Sequence, residues 1–153
     1  MRKQIFVLLA VIISLFQISV AGENYWETHG PYGGDMWEVQ FNAGSRGLCC
    51  VGGEGGLFVS FDDGNFWEKR TPLDLWLDQS DLYCGYFSAC PAQPGLIYAV
   101  FSDYYNAAVY KSGDSGMSWE KLSVPLQAET ISAIACDPSD PDLVFISFSE
   151  GGG

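Results

Sequence analysis

The chain has 153 residues, with 19 acidic against 7 basic side chains and a net charge of −12. That balance excludes a phosphate-binding surface built from clustered Lys and Arg, so neither nucleic acid nor an anionic membrane is an expected partner. Acidity of this kind keeps an exported protein soluble, a reading preferred over a dedicated cationic partner.

Residues 1–21 read as a secretory signal. Arg2 and Lys3 make a positive start, Ile5 to Phe16 is an apolar run interrupted by Ser14, and Ser19-Val20-Ala21 offers small residues for cleavage. The run is about a dozen residues, short of the roughly 20 that a spanning helix needs. No Cys stands at the cleavage point, so a lipid anchor is not expected. The expectation is a secreted or periplasmic protein with no integral membrane segment after cleavage. Residues 22–33 form a lead-in. The mature chain of 132 residues (153 − 21) suffices for one ordinary core.

From residue 34 onward, short runs rich in Val, Ile, Phe and Tyr alternate with Gly, Pro and Asp clusters, and helical periodicity is nearly absent. This predicts an all-β domain. FNAGSRGLCCVGG (41–53) leads into LFVSFDDGNFWEK (57–69), and TPLDLWLDQSD (71–81) follows as a loop. ACPAQPGLIYAVF (89–101) and the loop SDYYNAA (102–108) precede VYKSGDSGMSWEK (109–121). The text then returns to ACDPSDPDLVFISF (135–148). The two S-x-D-x-G-x-x-W stretches share one frame 52 residues apart (112 − 60), and the two apolar strands recur at an offset of 47 (143 − 96). Each unit reads as four strands in about 46–52 residues, the size of one propeller blade. The units are about 34–77, 78–129 and an unfinished 130–153, so about two and a half blades are expected within an incomplete β-propeller of four-stranded antiparallel blades.

The repeated turn has a local logic. Ser60 and Asp62, like Ser112 and Asp114, carry short oxygen-bearing side chains that bond nearby backbone N–H groups. Gly64 and Gly116 supply a backbone angle that other residues adopt at a cost. Trp67 and Trp119 return on the next strand as an apolar lid. These eight residues are assigned structural work.

The cysteines Cys49, Cys50, Cys84, Cys90 and Cys136 are odd in number. Neighbours in an apparent strand, Cys49 and Cys50 point to opposite faces. Cys84 and Cys90 are the nearest plausible pair, and buried apolar thiols are the preferred reading of the set. His29 stands alone and no C-x-x-C occurs, so no metal and no cofactor is expected. A Ser-His-Asp triad has little support for the same reason.

SFDDGNFW and SGDSGMSW resemble Asp-boxes, also called BNR repeats, which occur in sialidases, sortilin-type receptors, xyloglucan-cleaving hydrolases and photosystem II assembly factors. The resemblance implies that the box is the turn between the third and fourth strands of a blade. It also implies that ligands bind on the opposite face, at loops between blades and between second and third strands. Those loops gather Glu54, Asp74, Trp76, Asp78, Asp81, Asp103, Tyr104 and Tyr105. Rings beside carboxylates suit a sugar platform, and two carboxylates suit glycoside cleavage at separations of roughly 5–10 Å. The alternative is that Leu75 and Trp76 pack between blades while the acids are solvated. Sialidases hold a substrate carboxylate with three arginines, whereas the mature chain has Arg46 and Arg70, neither on that face. The same scarcity weakens the photosystem-factor reading. The expectation is an exported binding or interaction scaffold for carbohydrate or protein, without catalysis of its own. The N-terminal part of a secreted, xyloglucanase-like hydrolase is the alternative. A ring normally needs four to eight blades, so further blades or self-association are expected to close it.

Overall fold

The computed structural model describes residues 30–31, 34–41, 49–72, 82–103, 107–124 and 130–149. Three sheets follow one another along the chain. The first holds β1 (Met36–Phe41), β2 (Cys49–Gly53), β3 (Gly56–Ser60) and β4 (Glu68–Lys69), in that order. The second holds β5 (Tyr83–Ala89), β6 (Ile97–Ser102), β7 (Ala107–Ser112) and β8 (Glu120–Lys121). The third pairs β9 (Thr130–Cys136) with β10 (Val144–Ser149). Every pairing is antiparallel. The fold is all-β, two and a half blades long.

Blades stack face to face. The face of a blade towards the preceding one is here its leading face, and the other its trailing face. Cys50, Leu57 and Val59 on the trailing face of the first blade meet Cys84, Phe87, Ala99 and Phe101 on the leading face of the second. Tyr98, Val100 and Val109 on the trailing face of the second meet Ile131, Ile134, Val144 and Ile146 of the third. β6 is buried along its whole length. Its pleat sends Ile97, Ala99 and Phe101 into one core and Tyr98 and Val100 into the other, so an unbroken apolar run is what this strand requires.

Side chains stitch the inner strands β1, β5 and β9 across the blade junctions. The Gln40 amide donates to the Phe87 carbonyl at 2.7 Å and accepts from the Ala89 N–H at 3.0 Å. One junction later, the Ser88 hydroxyl accepts from the Cys136 N–H at 3.0 Å. Gln40 and Ser88 are equivalent positions, since each is registered one strand away from the apolar trailing face.

The disulfide joins Cys90 to Cys136, with Cα atoms 5.5 Å apart. This corrects the preferred reading of buried thiols for Cys90 and Cys136, and the partner of Cys90 is not Cys84, the nearest plausible one in sequence. Cys84 lies in β5 and Cys90 just past its end. An extended strand advances about 3.3 Å per residue, so six residues hold the two some 20 Å apart, far beyond disulfide reach. Cys90 and Cys136 instead follow Ala89 and Ala135 at matching ends of adjacent inner strands. Cys50 and Cys84 are fully buried and lie outside this disulfide.

Candidate functional site

The two ends of the blades carry different chemistry. At one end lie the β3–β4 and β7–β8 turns. The Ser60 hydroxyl accepts from the N–H groups of Asp62 and Gly64 at 3.3 and 2.9 Å, and donates to the Asp62 carboxylate at 2.8 Å. That carboxylate accepts from the Phe66 N–H at 2.9 Å. Ser112 repeats each bond with Asp114 and Gly116. Asp114 adds the Ser118 N–H at 2.8 Å and hydroxyl at 2.6 Å. Gly64 and Gly116 have φ of 88° and 83°, the left-handed region that favours glycine. The Trp67 and Trp119 indoles lie over these glycines. The Ser, Asp and Gly of each turn thus bond among themselves, with the Trp ring packed over the glycine.

Hydrogen bonds from Ser118, side chain first and then N–H, with a further one from Ser112, pull the Asp114 carboxyl down to about 2 from 3.8. The Phe66 N–H and then the Ser60 hydroxyl lower Asp62 in the same direction. A carboxyl with a depressed folded pKa stabilises the fold above its unfolded value and loses that contribution as pH falls through the folded value. Asp114→Asn should therefore cost stability at neutral pH, and its deficit in melting temperature should shrink as pH drops from 3.8 towards 2. Melting curves across that range check this; a deficit independent of pH would refute it. Solvent exposure keeps the effect modest.

The opposite end gathers the β2–β3 turn, the entry to β5 and the β6–β7 turn. Glu54 is exposed at the tip of the β2–β3 turn and bridges to Tyr83 of the second blade. Its N–H donates to the Asp35 carbonyl at 2.9 Å, its carboxylate accepts from the Asp35 N–H at 3.3 Å, and the Gly55 N–H reaches the Leu82 carbonyl at 2.8 Å. Both blades therefore fix the backbone of this turn, and the Asp35 N–H orients the carboxylate. Asp103 stands at the same end, directly after Ser102, which registers with Tyr83. Of the other residues expected here, Asp74, Trp76, Asp78, Asp81, Tyr104 and Tyr105 lie outside the described residues, as do residues 1–21 and Arg46.

Two aromatic residues at this end were not singled out from sequence. Trp37 is 50 % exposed and meets Tyr83 edge to face, with centroids 6.1 Å apart and planes at 67°. A wide irregularity in β1 between Met36 and Glu38 leaves Trp37 out of the ladder. The sequence signal was weak: Trp37 is second in β1 and Tyr83 first in β5, and nothing local says that these two strands lie side by side.

Arg70 sits at the box end, paired with Glu68 and 5.9 Å from the Phe61 ring centroid. Burial pushes the Cys84 thiol well up, with Glu38 and Cys50 adding to the rise, so it is not a poised nucleophile. Among the described residues, no group of three or more His, Cys, Asp or Glu side chains is placed to hold a metal ion. No helix among them is long and apolar enough to cross a membrane.

No protein-family model and no curated protein matches the chain. Solved structures do. A GH74 xyloglucanase from Xanthomonas campestris is similar over 73 % of this chain, at 24 % identity and a TM-score of 0.59. YCF48, bound to a D1 peptide, is similar over 74 %, at 23 % identity and a TM-score of 0.55. The chain spans 18 % of the first protein and 34 % of the second. Both are β-propellers, and the likeness establishes the fold of this chain as part of one.

Proposed function

We propose that this stretch of β-propeller is exported and serves as a binding scaffold, with its ligand at the end that carries Trp37, Tyr83 and Glu54. The observation behind this is the edge-to-face Trp37–Tyr83 pair beside Glu54, whose backbone is bonded to both blades and whose carboxylate accepts from the Asp35 N–H. An exposed ring stacks on the apolar face of a sugar, and a fixed carboxylate accepts from its hydroxyls. The Cys90–Cys136 disulfide and the signal-like start support export, since disulfides persist in oxidising compartments.

Xyloglucan is the probe of choice, because one structural neighbour is a xyloglucanase. Migration through a xyloglucan-containing native gel should be retarded, and Trp37→Ala with Tyr83→Ala should weaken that retardation at least tenfold. Unretarded wild-type protein, or equal retardation of the variant, refutes the carbohydrate reading. A protein ligand is the second reading, favoured by the peptide that YCF48 binds. A third, the N-terminal part of a glycoside hydrolase, requires a second carboxylate roughly 5–10 Å from Glu54. In that case xyloglucan would release reducing ends and Glu54→Gln would abolish the release.

A further inference from the structure

The Glu54 side chain has room made for it. Its Oε2 accepts from the Asp35 N–H at 3.3 Å. Gly34, directly before, has φ of 92°, and a Cβ there would fall 2.6 Å from the Glu54 Cβ and 2.8 Å from Oε2. A glycine therefore leaves the space that this carboxylate occupies. Glu54 lies one residue past the Gly53–Met36 pair of the first ladder, beside the strand that carries Trp37.

Trp37 also walls a hollow of about 360 Å³, shared with Gly30, Pro31, Met36 and Glu38. Glu38 is the one polar side chain in that lining. Its two oxygens each take a hydrogen bond, from the Gln40 amide at 2.7 Å and the Phe87 N–H at 3.4 Å, and a carboxylate can accept more. The cations among the described residues are Lys69, Arg70, Lys111 and Lys121. All four lie on, or just past, the third and fourth strands of their blades. Among the described residues, the Trp37 end thus joins exposed ring surface to carboxylates with no positive side chain beside them.

That combination favours one ligand charge. A sugar hydroxyl satisfies a carboxylate, but an ammonium group does so through a charge-assisted bond roughly twice as strong. An ammonium group is also drawn to the face of an indole ring. Acetylating the amine removes its charge. An acidic sugar would bring like charge to an end already negative.

We propose that the ligand at this end is an amino sugar with a free, protonated amine, whose ring packs on Trp37 and whose ammonium group donates to the Glu54 carboxylate. This rests on the carbohydrate reading above and narrows it to cationic sugars.

The test is calorimetric titration of the 153-residue chain with three oligomers of equal length, built from glucosamine, N-acetylglucosamine and glucose. With its amines protonated, the glucosamine oligomer should bind at least about tenfold tighter than the other two. Glu54→Gln keeps an acceptor for the Asp35 N–H, removes the charge, and should erase that preference. Trp37→Ala should weaken all three. Asp63→Asn removes one exposed charge at the box end and should leave the preference intact. Equal affinities of the wild-type protein for all three would overturn the inference and leave a neutral sugar platform standing. A preference lost in Asp63→Asn as fully as in Glu54→Gln would trace it to net charge and overturn it too. Binding of none overturns it together with the carbohydrate reading. A lysine peptide that binds tighter than the glucosamine oligomer, and through Glu54, would make the ligand a protein and overturn it as well.

Discussion

Replacing Cys90 and Cys136 by Ala should remove about 4 kcal/mol of stability. The bridge closes a loop of 46 residues, and the chain-entropy relation puts the gain from such a cross-link near that value at 25 °C. Stabilities of single domains run to about 5–15 kcal/mol, so this is a large share. The loss should also be uneven in space. The β9–β10 hairpin is held by Ile131, Ile134, Val144 and Ile146 and by the Cys136 N–H bond to Ser88. With the cross-link gone, amides in 130–149 should exchange before those of β6. Urea unfolding with and without reductant measures the total, and hydrogen exchange measures its distribution. An unchanged urea midpoint would refute the prediction.

Phe101→Ala should cost about 3–5 kcal/mol, the range for truncating a buried aromatic ring. Phe101 is fully buried and meets Tyr110 and Trp119 edge to face, at centroid distances of 5.7 and 5.3 Å. Its strand is packed on both faces, so neither neighbouring blade can collapse into the gap without leaving the other. The two rings it supports belong to the β7–β8 region, so the loss should loosen the second box turn too. Phe66→Ala is the control: that ring is 64 % exposed, and its removal should shift stability by no more than about 0.5 kcal/mol. Guanidinium unfolding of both variants decides it, and comparable losses would contradict the packing described.

The box turns were legible in sequence because their bonds are local. Ser60 reaches Asp62 and Gly64, two and four residues away, and Ser112 does the same. Short polar side chains and a glycine at fixed offsets are enough to specify such a bend. The all-β class was legible for a related reason: alternating and continuous apolar runs state which strands are buried on one face or two. The repeat, visible as two copies in one frame, carried the blade count.

The Cys90–Cys136 bond, the Trp37–Tyr83 pair and the hydrogen bond from the Trp119 indole N–H to the Arg70 carbonyl each join residues 46 to 49 apart in sequence, across a junction between blades. Local pattern holds no record of such contacts, because they depend on how one sheet is rotated and shifted on the next. Strand pairing and turn chemistry were therefore written in the sequence. Which cysteine meets which, and which rings share the exposed end, were decided by the stacking of whole blades, where side chains of distant segments first come within bonding range.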